Sequence, residues 1–261
     1  MAGGALYTTG LIPVGDADRM TELRVRAGGS GPPTFLLLHG LGATGDVWAG
    51  VVDRLGAAAW TVPDLPGHGG SAALPTYSFA TVAEAVGDLV DPRGTVIVGH
   101  SFGGVIGLHL AGRVGVRAVV GLGIKVAWTG EELAKAAALA ARPAPVFDTR
   151  DEAVRRHLRA AGLEGLVDAA GPALDAAVVR VDGGWRPAFD PRGFGVGEPG
   201  VAGLLAAAPV PVTLARGEHD HMVSAEQLAA LVSAPVDLPG LGHNAHVEDP
   251  TALLPLLAPY R

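Results

Sequence analysis

Six short apolar runs recur along this chain, and most of them stop in a glycine-rich turn. Residues 34–38 (TFLLL) stop at HGLG, residues 60–62 lead into DLPGHGGS, and residues 95–98 (TVIV) stop at GHSFGG. Residues 118–122 (AVVGL) follow, then 212–215 (VTLA) before RGEHD and 236–238 before PGLGHN. A strand with one wet face alternates apolar and polar residues. Unbroken runs suit strands covered on both faces, as in a parallel sheet. Parallel strands need crossover connections, and the segments between the runs read as helices. Thr81 and Glu84 read as a capping box opening TVAEAVGDLV, and Ser224 and Gln227 as one opening SAEQLAALV. Asp249 and Pro250 read as the N-cap and first-turn proline of TALLPLLAPY. The alternation predicts an α/β fold with a mostly parallel, doubly wound central sheet flanked by helices. The first 27 residues read as an antiparallel leader, ALYTTGLIPV and TELRVRA.

Residues 125–208 break the rhythm. They are Ala-rich, with helix-like EELAKAAALAA and DEAVRRHLRAAG, then irregular through VDGGWRPAFDPRGFGVGEPG. The expectation is one core made of residues 1–124 and 209–261, with 125–208 inserted as a helical lid over one edge of the sheet.

Composition narrows the function. With 49% apolar residues in 261, the chain can bury a large core. Its formal net charge is -7, and its 19 basic residues are scattered, so no nucleic-acid or anionic-membrane partner is expected. The absence of cysteine removes disulfides, thiol catalysis and thiolate metal sites. No basic-then-apolar leader opens the chain, and no apolar stretch reaches the roughly 18 residues of a membrane span. A cytoplasmic monomer or homodimer acting on a small molecule is the expectation.

Gly99-His100-Ser101-Phe102-Gly103 has the form G-x-S-x-G, between an apolar strand and a helix-like FGGVIGLHLAG. A tight strand-to-helix turn lifts the serine hydroxyl above the strand end, near the free N–H groups of a helix N-terminus. Gly99 and Gly103 leave room where a Cβ would clash. A serine needs a base, and the base an orienting acid. Downstream, RGEHDHMV offers Glu218 and Asp220, and GLGHNAHVEDP offers His243 and His246. His219 and His221 in HDH could share a face in an extended segment, yet no further cluster has zinc-like spacing, so no metal is expected.

Taken together, HGLGATGDVW, DLPGHGGS, GHSFGG, GEHDHMV and GLGHNAHVEDP resemble the α/β-hydrolase superfamily, in particular its esterase-like, lactonase-like and C–C hydrolase-like members. The motifs span about residues 34 to 250 and leave 125–208 unmatched. The resemblance implies Ser101 as nucleophile, Asp220 as acid and His243 as base. Asp220 rather than Glu218 matches the family's acid position counted from Gly217. His243 rather than His246 follows the glycine of the loop after the last strand. The resemblance also implies an oxyanion hole from the backbone N–H groups of Leu41 and Phe102. It implies a serine hydrolase that needs no cofactor, acting on small carboxylic esters through an acyl-enzyme, and the few charges near the motifs suggest a fairly apolar substrate. Lactone, thioester or C–C bond cleavage, a pathway lyase, and a slow-turnover ligand receptor are the alternatives. Ser101 argues against the relatives that use an aspartate nucleophile. Trp128, Trp185 and Phe189 of the insertion are expected to line the substrate pocket, with Val223 and Asn244 beside the acid and base loops.

Overall fold

The structure is a computed structural model and describes residues 7–15 and 20–261. Its strands are β1 (Tyr7–Val14), β2 (Thr21–Gly28), β3 (Ser30–Leu38), β4 (Ala58–Pro63), β5 (Thr95–His100), β6 (Val116–Leu122), β7 (Val178–Val181), β8 (Gly184–Pro187), β9 (Val212–Gly217) and β10 (Val236–Leu238). The helices are α1 (Ala49–Val52), α2 (Phe79–Val86), α3 (Phe102–Leu110), α4 (Gly130–Ala140), α5 (Arg150–Ala161), α6 (Val201–Ala207), α7 (Ala225–Ala229), α8 (Ala245–Glu248) and α9 (Leu254–Leu257). Eight strands form one sheet in the order β1-β2-β4-β3-β5-β6-β9-β10. All pairs from β4 to β10 are parallel, whereas β1 pairs β2, and β2 pairs β4, antiparallel. The predicted parallel α/β sheet and its antiparallel leader are both present. Ala5 and Leu6 of ALYTTGLIPV, and residues 16–19, lie outside the described residues.

The apolar runs sit where both faces are covered. Phe35 and Leu37 of β3 point into one core, with Val96 and Val98 of β5, and Leu36 and Leu38 point into the other, with Ile97. This is the period-two alternation of a strand whose two faces are both apolar.

Local starts agree with the sequence in two places and shift in one. Ser224 accepts the Gln227 N–H, and Asp249 accepts the Thr251 N–H ahead of Pro250, as predicted. Helix α2 begins earlier than predicted. Ser78 is its N-cap, accepting the Thr81 N–H at 3.0 Å while Thr81 Oγ1 accepts the Ser78 N–H at 2.9 Å. Thr81 is thus the third helical residue rather than the cap, because Phe79 and Val82 both fit the core when the helix starts there.

The insertion also differs from expectation. Helices α4, α5 and α6 are joined by an antiparallel hairpin, β7–β8, across Asp182-Gly183. Ala153, Val154, Leu158, Leu163 and Val178 give it a small core of its own. It meets the loops that follow β3 and β4: Ala160 lies beside Gly42, Gly193 beside Leu41, and Phe189 against His68.

Helix α3 presses closely on the sheet. A Cβ at Gly103 would stand 2.3 Å from Leu38 O and 2.6 Å from His39 O, and one at Gly99 2.3 Å from Gly103 O. These contacts are backbone, which cannot swing aside. Gly103→Ala is therefore expected to destabilise the fold by about 3 kcal/mol, read as a lower urea midpoint; an unchanged midpoint would show that α3 can lift off the sheet.

Candidate active site

The strand order fixes where the site can form. The chain runs from β3 outward to β4, then returns across β3 to β5 on its other side. Adjacent strands whose connections depart in opposite directions leave a crevice at their C-terminal ends. HGLG follows β3, GHSFG closes β5, and Leu38 is the register partner of Gly99. A Cβ at Gly40 would stand 3.6 Å from Ser101 Cβ, so the loop carrying Leu41 runs against the serine.

Ser101 has φ 50° and ψ −112°, the only positive φ of a non-glycine residue among the described residues. Such a conformation costs on the order of 1–3 kcal/mol and persists only where the surroundings impose it. Here the Ser101 N–H donates to Leu122 O at 2.7 Å, and its carbonyl accepts the N–H groups of Gly104 and Val105 at 3.0 and 3.2 Å. The serine is the N-cap of α3. Phe102 is the first helical residue, so its N–H has no carbonyl one turn earlier within the helix.

His39 holds the facing loop. Its Nδ1–H donates to Gly40 O at 2.8 Å, and its Nε2 accepts the Leu65 N–H at 2.8 Å. Burial pushes its pKa down to about 4, so the ring is neutral at pH 7 and serves as donor and acceptor at once. His39 thus fixes the peptide that precedes Leu41.

Asp220 follows β9 and His243 follows β10. His243 Nδ1 lies 3.0 Å from both carboxylate oxygens of Asp220, whose side chain is wholly buried. Burial alone would raise the Asp220 pKa. The hydrogen bond and charge of His243, with the Met222 N–H at 2.8 Å, outweigh it and leave the group below the usual carboxylate range. A carboxylate accepting from Nδ1–H leaves Nε2 with the lone pair. The other two candidates take different places. Glu218 accepts the Gly240 N–H at 2.8 Å near the surface. His246 is fully buried between Trp48 and His100, with ring centroids 4.4 Å from each.

Among the described residues no hydrogen bond reaches Ser101 Oγ. The serine and histidine loops are instead joined through His100, the second residue of GHSFG. Its Nε2–H donates to His243 O at 2.9 Å, with ring centroids 4.6 Å apart. Sequence reasoning missed this residue, because the direction of a side chain in the elbow depends on packing across the sheet. Asp64 acts structurally: its buried carboxylate accepts from Arg24, Gly45 and Gly70.

The expected pocket residues separate. Phe189 is buried with its ring 4.7 Å from His68, which in turn lies 6.3 Å from Phe102. Trp128 donates to Lys125 O at the start of the insertion. Trp185 packs on the insertion's own core, paired with Phe147. Val223 is buried in the same apolar cluster as Phe102. Asn244 directs its amide at Ala161 O and Gly162 O, at 3.4 and 3.0 Å, tying the base loop to α5. Asn244→Ala is expected to cost about 1 kcal/mol and to speed proteolytic cleavage within 125–208; unchanged cleavage would mean the tie is dispensable.

Among the described residues no cluster of three or more His, Cys, Asp or Glu side chains could hold a metal ion. No helix among them is long and apolar enough to cross a membrane.

With this geometry in place, the chain can be set beside known proteins. Residues 35–256 match the model of the alpha/beta hydrolase family. Lipase LipV of Mycobacterium tuberculosis is 35% identical over 157 residues, which cover 58% of each chain. The 2-succinyl-6-hydroxy-2,4-cyclohexadiene-1-carboxylate synthase of Yersinia enterocolitica is 28% identical over 247 residues, 86% of this chain and 85% of that one. Among solved structures, E-2-(acetamidomethylene)succinate hydrolase superposes with a TM-score of 0.78 at 25% identity, covering 97% of this chain and 99% of that one.

Proposed function

The chain belongs to the alpha/beta hydrolase family, and from that premise we propose that it is a serine hydrolase that cleaves small, fairly apolar carboxylic esters. The observation that carries this reading is the strained Ser101, held at φ 50° beside the HGLG loop. Ser101 Oγ attacks the acyl carbon and passes its proton to His243 Nε2. Asp220 holds the imidazole in that tautomer and stabilises the imidazolium that forms. The N–H groups of Leu41 and Phe102 receive the oxyanion as a fixed pair of donors. His243 then protonates the departing alcohol, leaving an acyl-serine, and the same base activates the water that releases the acid.

Residues 125–208 act as the lid. The side chains of Leu41 and Phe189 meet at Gly193, so the insertion closes the crevice with apolar surface. That surface favours an uncharged acyl group next to Ser101. The names of the similar proteins span a lipase, a synthase and a hydrolase, so the bond itself is decided by a panel. Short p-nitrophenyl esters, thioesters, lactones and vinylogous diketones are offered to the enzyme. Fastest turnover on the esters supports the reading, and turnover confined to another class replaces it.

Asp220→Asn is expected to lower kcat about 10⁴-fold, since an amide cannot select the same tautomer or balance the imidazolium. A loss below tenfold would assign the orienting role elsewhere.

A further inference from the structure

Beside the crevice, and not within it, lies a cavity of about 720 Å³. It opens between the end of α4 and the segment that follows it (residues 140–144), the hairpin strands β7 and β8, the turn 188–192 and the loop 67–73. Neither Ser101, Asp220 nor His243 lines it. Its volume is in the range of sites that hold small molecules.

Its charge is one-sided. Arg192 is neutralised by Asp190, with Nη2 to Oδ2 at 2.6 Å and Nε to Oδ1 at 3.1 Å. Among the described residues the Arg186 guanidinium bonds only the neighbouring Pro187 carbonyl, at 3.2 Å. Arg142 meets no carboxylate among the described residues. Asp190 is the one acidic side chain in the lining, so two guanidinium charges stand uncompensated in one concavity of a chain whose net charge is -7. The remaining walls are small or apolar, with Ala188, Val179 and Phe189 among them.

The floor is preformed. The Gly69 N–H donates to Ala188 O at 2.7 Å, and the Asp190 N–H to Gly67 O at 2.8 Å. Tyr77 donates to Asp190 Oδ2 at 3.2 Å. This seam joins the insertion to the core, so a ligand here would find its site largely built. Guanidinium groups from two different segments can grip one oxyanion with several charge-assisted hydrogen bonds.

We infer that this outer pocket binds a small molecule bearing a carboxylate or phosphate on a short apolar body, gripped by Arg142 and Arg186. Phe189 and His68 separate it from Phe102, so the ligand sits outside the catalytic crevice and need not be the substrate.

Calorimetric titration at low salt with succinate, inorganic phosphate and the neutral succinamide tests the inference. The full chain is expected to bind at least one of the two anions and not succinamide, with succinate alone or phosphate alone identifying the preferred head group. The double variant Arg142→Gln, Arg186→Gln is expected to weaken binding at least about tenfold, with an unchanged melting temperature, since neither arginine supports the fold through an ion pair. Ser101→Ala is expected to bind as the unaltered chain does, whatever the fate of the esterase reading. No binding up to about 50 mM, equal binding of succinamide, or undiminished binding by the folded double variant would overturn the inference. So would loss of binding after Ser101 is covalently blocked, which would place the anion in the crevice.

Discussion

Replacing Ser101 by alanine is expected to lower kcat on a short p-nitrophenyl ester by about 10⁶-fold, the scale of losing a serine nucleophile from a complete triad. The residual rate over water would come from the donors of Leu41 and Phe102 and from substrate binding. The effect is large because the three groups act as a unit. Without Oγ no acyl-enzyme forms, and the Asp220–His243 pair at 3.0 Å has nothing to activate. Stability should barely change. Ser101 holds a positive φ, so its conformational strain is a cost of function, and alanine bears the same strain with no polar group to solvate. The melting temperature of the variant is therefore expected to match or slightly exceed that of the unaltered chain. Full retention of turnover, with the variant folded, would remove Ser101 from the mechanism.

Acid is expected to unfold this protein well before its carboxylates protonate. Burial lowers the pKa of His39 and His157 to about 4, and of His68 and His246 to about 3. In the unfolded chain each returns to about 6.5. Between these values the unfolded state binds more protons, so stability falls as pH falls through that window. At pH 5 each of the four costs about 2 kcal/mol relative to pH 7 and above, against a typical total of about 5–15 kcal/mol. Among the described residues no carboxylate is hydrogen-bonded to any of the four rings; the charge of Asp64 acts on His68 but is outweighed by burial. Urea midpoints at pH 7 and pH 5 measure the effect, and a flat profile would contradict it. His246→Phe isolates one contribution. Neither ring nitrogen of His246 has a partner among the described residues, so phenylalanine between Trp48 and His100 should be tolerated at pH 7 and should flatten the acid limb.

The sequence made the strands legible because both faces of each central strand are apolar, and Phe35 to Leu38 needs no partner to be recognised as buried. Strand order was not legible, since β4 falling outside β3 depends on contacts far apart in the chain. Yet that order creates the crevice. The motif glycines could be read as close approaches, and Gly103 against Leu38 O shows why. The hairpin β7–β8 does not show in the sequence although Asp182-Gly183 is a hairpin signal, because strands of four residues are too short to show an alternation. The cap of α2 lies one turn earlier than the sequence suggests because Ser78 and Thr81 serve each other as well as Thr81 and Glu84 could. For Val223 and Asn244, closeness in sequence to the acid and base did not decide direction. One side chain turns into the core, and the other reaches across to the insertion. His100 is the counterpart: an unremarked motif position whose side chain reaches the backbone of the base.

The central claim is that Ser101 is a nucleophile activated by His243. Its most direct measurement is covalent labelling by a fluorophosphonate, followed by peptide mass spectrometry on the unaltered chain and on His243→Ala. The account predicts one adduct, on Ser101, formed at least about 10³-fold more slowly in the variant. An adduct on another residue, no adduct, or equal rates in the two proteins would contradict it.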